Sequence, residues 1–252
     1  MPQRKEKADM WKEQRDISKW KNLYLVRHGE STCNEINRFA GSIDVPLTAL
    51  GKAQAKKARS QLRAHLPDLI YASPLLRARQ TAEILFSDCN NATAAKPELI
   101  IDERISERNF GDFTLLNKAS IQRQIGLKKY ENALYGNSVD MPEGETLETF
   151  NKRVLEFLRN ELHTSITQDH SVLVVAHKYV IELLSRLILR IPVAGGYDLR
   201  LPNATILNAA ELKHYLHKES RTMNLAQDWI TVRYSEVLMI GAGLGLLLHC
   251  LS

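Results

Sequence analysis

Leu23-Tyr24-Leu25-Val26-Arg27-His28-Gly29-Glu30-Ser31-Thr32-Cys33-Asn34 is the stretch that decides how the rest of the chain is read. Four apolar residues make a buried strand, and the run breaks at once into Arg-His-Gly. In an open α/β sheet, ligands bind beyond the carboxyl ends of the strands, so this order places a cation, an imidazole and a permissive glycine at a ligand site. The set suits an anion. Arg27 offers a rigid fork of donors, Gly29 allows a close backbone approach, and His28 is left as a candidate nucleophile.

Working outward, residues 48–65 are expected to be helical, capped by Thr48, with Ala55, Ala58, Leu62 and Leu66 on one face and Pro67 as the stop. Residues 68–72 read as a second strand, and Ser73-Pro74 opens a second helix with serine at the cap and proline in the first turn. Arg77 then falls near the carboxyl edge of the sheet, where helix amides also favour anions. A polar loop (87–96), a short strand (Glu98–Ile101) and an irregular segment (102–113) follow. A helical pattern over 114–130 is punctuated by Gly126, 135–144 is a loop, and Thr146 caps a helix running to 164. Residues 171–176 form the clearest buried strand, with His177 directly after it and a helix over 179–189. Residues 204–212 and 229–234 read as late strands. Strands alternating with helices predict an α/β fold, a three-layer α/β/α sandwich with a mainly parallel central sheet.

The 252 residues suit one α/β domain with tails better than two domains. We place that domain at 22–235. Residues 1–21 carry seven Lys or Arg against four Asp or Glu, which is +3 of the net +5. A solvated, frayed leader is favoured there over a weak contact with an anionic membrane surface, although Met10, Ile17 and Trp20 share a helical face. The tail, 236–252, contains fifteen nearly uninterrupted apolar residues (237–251) with glycines at 241, 243 and 245. That run is short of the roughly 20 that span a bilayer, so it reads either as a buried or interfacial end or as a truncated membrane span.

Charges of both signs are spread along the chain without an aromatic-interleaved basic run, which argues against nucleic acid and for a basic pocket holding a small anion. Cys33, Cys89 and Cys250 are odd in number and lack disulfide or metal spacing. With no signal peptide visible, they indicate a reducing, cytoplasmic setting, with membrane association through the tail left open. His214 and His217 have ligand-like spacing without a third ligand and read as structural or surface residues. Neither a metal nor a cofactor is expected.

Beyond the first stretch, Asn37-Arg38-Phe39-Ala40-Gly41, Asp44, Pro46-Leu47-Thr48 and Gly51 continue a recognisable pattern. So do Ser73-Pro74-Leu75-Leu76-Arg77-Ala78-Arg79-Gln80-Thr81-Ala82 and the segment Ser106-Glu107-Arg108-Asn109-Phe110-Gly111. Together they resemble the histidine phosphatase superfamily, the phosphoglycerate mutase-like proteins, from about residue 23 to about 210. The resemblance implies that His28 attacks phosphorus and becomes a phosphohistidine, while Arg27, Arg77, Asn34 and His177 hold the phosphoryl oxygens and Glu107 is the proton donor. Arg38, Gly41, Arg108, Lys118 and Lys178 are candidate substrate contacts. The chemistry is coherent, because preplaced cations stabilise the charge spread over a phosphoryl group in transfer.

The departures are local. His177 is followed by Lys178-Tyr179 where the family usually has glycine, Cys33 stands where mutases usually carry tryptophan, and Phe110 where they usually carry tyrosine. Only the 69 residues 108–176 separate Glu107 from His177, a span that resembles the compact phosphatases and is short for the fuller mutase cap. The expectation is a phosphomonoester hydrolase acting on a small phosphorylated metabolite. A 2,3-bisphosphoglycerate-dependent phosphoglycerate mutase is the alternative, and an inactive phosphate-binding module the third reading. Oligomeric state is not legible.

Overall fold

The computed structural model describes residues 17–62, 66–87, 97–135, 141–189 and 201–212. β1 (Leu23–Arg27) is followed by a single helical turn, α1 (Thr32–Glu35), then α2 (Ala49–Leu62), β2 (Leu69–Ala72), α3 (Leu76–Phe86) and β3 (Glu98–Ile101). Next come α4 (Lys118–Ile125), α5 (Leu127–Tyr135), α6 (Leu147–Phe157) and α7 (His163–Thr167). The described chain closes with β4 (Val172–Ala176), α8 (Lys178–Leu189) and β5 (Ile206–Asn208). The sheet order is β3-β2-β4-β1-β5, parallel throughout except for β5, which runs antiparallel to β1.

The alternation of side chains along a strand builds the layers. Leu23, Leu25, Tyr71, Val172 and Val174 pack with α6 and α8 on one face, whereas Val26, Ile70, Leu173 and Val175 pack with α2 and α3 on the other. Every residue of β4 is buried, as a central parallel strand covered on both faces requires. The expected α/β/α sandwich is therefore the fold. A third cluster, Phe39, Phe110, Ile121, Ala133, Leu134 and Met141, joins α4 and α5 to the loops that follow β1 and β3.

Several local expectations differ from the structure for identifiable reasons. Trp20, in the segment read as leader, is buried in the main core. Ser73 does not cap α3: the helix begins at Leu76 behind an extended Leu75, and the amide of Leu76 donates instead to Asp44 Oδ1 from a distant loop. The helix expected from 114 starts at Lys118, because the amides of Leu115 and Lys118 bond to the carbonyls of Phe39 and Asn37 at 2.8 and 3.0 Å. Gly126 (φ 83°) divides it from α5, which runs on to Tyr135. The helix from Thr146 continues through a π turn (Leu158–Leu162) into α7, three residues beyond the expected end.

The strand expected at 204–212 is three residues long. Asn208 Oδ1 accepts from the Ala210 amide at 2.8 Å, a cap that turns the backbone into the helical residues 209–212. Among the described residues no helix is long and apolar enough to cross a membrane. The apolar tail, the 229–234 strand, residues 1–16 and the 88–96 loop lie outside the described residues.

Candidate active site

Register brings the chemistry to one edge of the sheet. Arg27 pairs with Ala176 and Ala72 with Val175, so β1, β2 and β4 stop together. The ladder continues one step: the His28 amide bonds to Ala176 O at 3.0 Å and the Ser73 amide to Val175 O at 3.1 Å. His28 and His177, 149 residues apart in sequence, thereby leave adjacent strands side by side, ring centroids 5.1 Å apart at 60°. Gly29 is required for a reason other than approach to a ligand. A Cβ there would lie 2.5 Å from Gly51 O, and one on Gly51 would lie 2.0 Å from Glu30 O, so the two glycines let the loop after β1 pack directly on the start of α2. Thr81 of α3 pins the same loop by accepting the Gly29 amide at 3.0 Å.

The tautomer of His28 follows from its neighbours. Nδ1 lies 2.6 Å from Gly29 O, a pure acceptor, and Nε2 lies 3.3 Å from Arg77 Nε, a pure donor. The proton is therefore on Nδ1 and the lone pair on Nε2. Burial, then the charges of Arg77 and Arg27, hold the imidazole pKa well below its ordinary value, keeping the ring neutral. Arg77 is immobilised by carbonyls, with Nη1 on Ile43 O at 2.9 Å and Nη2 on Gly41 O at 2.7 Å, which aims Nε at His28. His177 is also fully buried, and its Nε2 lies 2.8 Å from Ser73 Oγ. Burial, Arg77 and His28 push its pKa far down as well, and its Nδ1 has no hydrogen-bond partner.

A cavity of about 490 Å³ opens at this edge, lined by Arg27, His28, Asn34, Arg38, Gly41, Arg77, Glu107, Lys118 and Lys178 together with aromatic side chains. His177 does not line it, being wholly buried beside His28. Glu107 is 8 % exposed, with Oε1 accepting from the Arg108 amide at 3.0 Å. Desolvation raises its pKa against the opposing pull of Arg77, so the carboxyl holds its proton to a higher pH than an exposed glutamate. Asn34 Oδ1 is occupied by the Ser31 amide at 3.2 Å and by Asn203 Nδ2 at 3.3 Å, which leaves its own amide nitrogen as the group an anion can use.

Arg108 is a correction. Expected to contact substrate, it is instead 1 % exposed and absent from the cavity wall. Its Nε bonds to Glu145 O at 2.9 Å and its Nη1 to Ala133 O and Leu134 O, each at 3.1 Å. It ties the Glu107 segment to α5. Arg153 of α6, which sequence reading missed, does the same from the other side: its guanidinium reaches the carbonyls of Arg104, Ser106 and Glu107 and the carboxylate of Glu145. Ser73, Thr81, Phe39, Tyr135 and Tyr179 were also missed as site residues. Ser73, Thr81 and Phe39 stand in the matched motifs and Tyr179 in the departure after His177, so each had a local signal; Tyr135 carries none.

Among the described residues no group of three or more His, Cys, Asp or Glu is placed to hold a metal. The positive charge at this edge is supplied by arginine and lysine. A family model described as histidine phosphatase superfamily (branch 1) matches residues 23–218. The chain is 31 % identical over 182 residues to a 2,3-bisphosphoglycerate-dependent phosphoglycerate mutase of Gloeobacter violaceus, covering 62 % of this chain and 78 % of that one. Among solved structures, a mycobacterial glucosyl-3-phosphoglycerate phosphatase in complex with VO3 superposes with a TM-score of 0.57 at 30 % identity, over 73 % of this chain and 90 % of that one. The alpha-ribazole phosphatase of Shigella flexneri gives 0.53 at 27 % identity, over 76 % and 83 %. With paired histidines at adjacent strand ends, an arginine locked onto one of them, and a model match across the whole sandwich, the chain belongs to the histidine phosphatase superfamily.

Proposed function

We propose that the protein hydrolyses a small phosphomonoester through a phosphohistidine on His28. The observation that carries this reading is the pair of contacts fixing the ring: a carbonyl on Nδ1 and an arginine donor on Nε2 leave a neutral, oriented lone pair. When a monoester enters, Nε2 bonds to phosphorus as the bond to the ester oxygen breaks, and Glu107 gives that oxygen its proton. Arg27, Arg77 and the Asn34 amide offset the charge on the phosphoryl oxygens. His177, off the cavity wall, packs its ring against that of His28 and is held by Ser73 through Nε2. A water then attacks phosphorus, returns a proton to the Glu107 carboxylate and frees His28 with inorganic phosphate.

The test is direct. Turnover with a 32P-labelled monoester, quenched in alkali, is expected to leave label on the wild-type protein and none on His28→Ala; label retained by that variant overturns the assignment. A mutase is the second reading, favoured by one observation: Arg38 and Lys118 share the cavity with His28, where they could hold the acid group of a phosphoglycerate. Incubation with 3-phosphoglycerate separates the two. Phosphate release with little exchange to 2-phosphoglycerate is expected, and rapid exchange dependent on 2,3-bisphosphoglycerate would replace hydrolysis by transfer.

A further inference from the structure

Glu107 sits on a segment with no regular structure, so the aim of its carboxyl depends on what fastens that segment. A single guanidinium grips it on both sides. Arg153, from α6, donates through Nη1 to Arg104 O and Ser106 O, each at 2.7 Å, and through Nη2 to Glu107 O at 3.2 Å. The Ser106 and Glu107 carbonyls belong to the two peptide planes that flank the Glu107 Cα, and only φ and ψ of Glu107 are soft between those planes. Holding both carbonyls on one rigid fork therefore fixes the direction in which the Glu107 side chain leaves the backbone.

The fork is itself aimed. Its Nε and Nη2 meet Glu145 Oε1 and Oε2 at 2.7 and 2.8 Å, a two-point pair that engages the remaining N–H donors of the group. The Arg153 Cζ lies 4.8 Å from the Phe150 ring centroid, one turn back on α6. Glu145 closes on the same segment through its main chain, its amide donating to Asn109 O at 2.9 Å and its carbonyl accepting from Arg108 Nε at 2.9 Å. The Arg153 and Glu145 side chains are 20 % and 13 % exposed, and neither residue lines the cavity. Any effect of this pair on a reaction in the cavity has to pass through the segment it holds.

We infer that Arg153, aimed by Glu145, is the positioning residue of the proton donor and sets how closely the Glu107 carboxyl reaches the leaving oxygen. This rests on the reading that Glu107 protonates that oxygen, and it adds α6 and the loop before it to the apparatus of the acid step. Proton transfer needs the two oxygens within hydrogen-bond reach, and a displacement of about 1 Å can lower a rate about 10²-fold. An alkyl ester, whose alkoxide leaves only when protonated, feels that displacement in full, whereas an aryl ester feels it much less. A lysine at 153 would keep the charge but present its donors from one point, and it could not hold two flanking carbonyls and a carboxylate together.

The ratio of kcat/KM for propyl phosphate to that for 4-nitrophenyl phosphate, measured on the full chain, reads the placement of the acid. In the proposed scheme kcat/KM covers the steps up to the phosphohistidine, where the two leaving groups differ, and a ratio taken within one protein cancels any loss of folded material. Relative to wild type, Arg153→Lys should lower this ratio about tenfold, and Glu145→Gln should lower it in the same direction. In a Glu107→Gln background, where no acid remains to be placed, Arg153→Lys should change the ratio by less than about twofold. A ratio that Arg153→Lys leaves at the wild-type level, or lowers as far without the acid as with it, overturns the positioning role; a low ratio in Glu107→Gln alone then keeps the acid reading intact. Should Arg153→Lys fail to fold by circular dichroism, Glu145→Gln compared in the same two backgrounds decides by the same criteria. If Glu107→Gln itself leaves the ratio unchanged, the acid reading falls and the positioning role falls with it, and hydrolysis of neither ester by wild type removes both.

Discussion

At the scale of single residues, the roles proposed for His28 and Glu107 draw on opposite consequences of the same burial. Desolvation disfavours charge, so it lowers the affinity of the imidazole for a proton and raises that of the carboxyl. A pH profile of kcat/KM for an alkyl phosphate should accordingly fall on its alkaline side as Glu107 ionises in the free enzyme. Glu107→Gln should lose that limb, and it should depress an alkyl ester about 10²-fold or more while affecting an aryl ester much less, since a phenolate leaves with little protonation. Equal losses on both esters would remove Glu107 from the acid role.

At the scale of elements, the site depends on backbone contacts that no side chain advertises. The loop carrying His28 rests on α2 through Gly29 and Gly51, where a Cβ on Gly51 would come within 2.0 Å of Glu30 O. Gly51→Ala should therefore force the loop and the helix apart, at a cost of about 2–4 kcal/mol in stability, with a further drop in kcat/KM as His28 moves off its Gly29 and Arg77 contacts. Chemical denaturation and turnover measured on the same preparation check it, and unchanged values in both would show that the loop tolerates the shift. The Glu107 segment is held in a comparable way, by Arg108 on one side and Arg153 on the other, both bonded to main-chain carbonyls. These arginines hold the segment that carries Glu107 from both sides, and neither lines the cavity.

At the scale of the whole molecule, stability and pH are linked through the same pair of histidines. Both have folded-state pKa values pushed below the ordinary one near 6.5, so the unfolded chain takes up protons first as pH falls. The stability that depends on neutral imidazoles is present above about pH 6.5 and is lost below it. Glu107, raised by burial, acts in the other direction and is outnumbered. Thermal unfolding should show Tm declining from pH 7.5 towards 5.5, more shallowly in His177→Asn, which removes one of the two histidines. A wild-type Tm that is flat or rises over that range would contradict the picture of two buried, neutral rings.

The sequence by itself determined the sandwich, because its strands are apolar runs and its helices carry an apolar stripe, and both are local, periodic signals. It also located His28, Arg27, Arg77, Glu107 and His177, since each stands in a short motif tied to a strand end or to the start of a helix. What it could not supply was the length of β5, the true cap of α3, the burial of Trp20 and the structural use of Arg108. Most of those were decided by a partner far away in the chain: β5 by its pairing with β1, α3 by Asp44, Trp20 by the core cluster it joins, and Arg108 by the carbonyls of α5. Lys178 belongs to both levels. Its departure from the family pattern is visible in the letters and its contact with Glu182 lies within α8, but its hydrogen bond to Tyr135 exists only because α5 and α8 meet at one cavity.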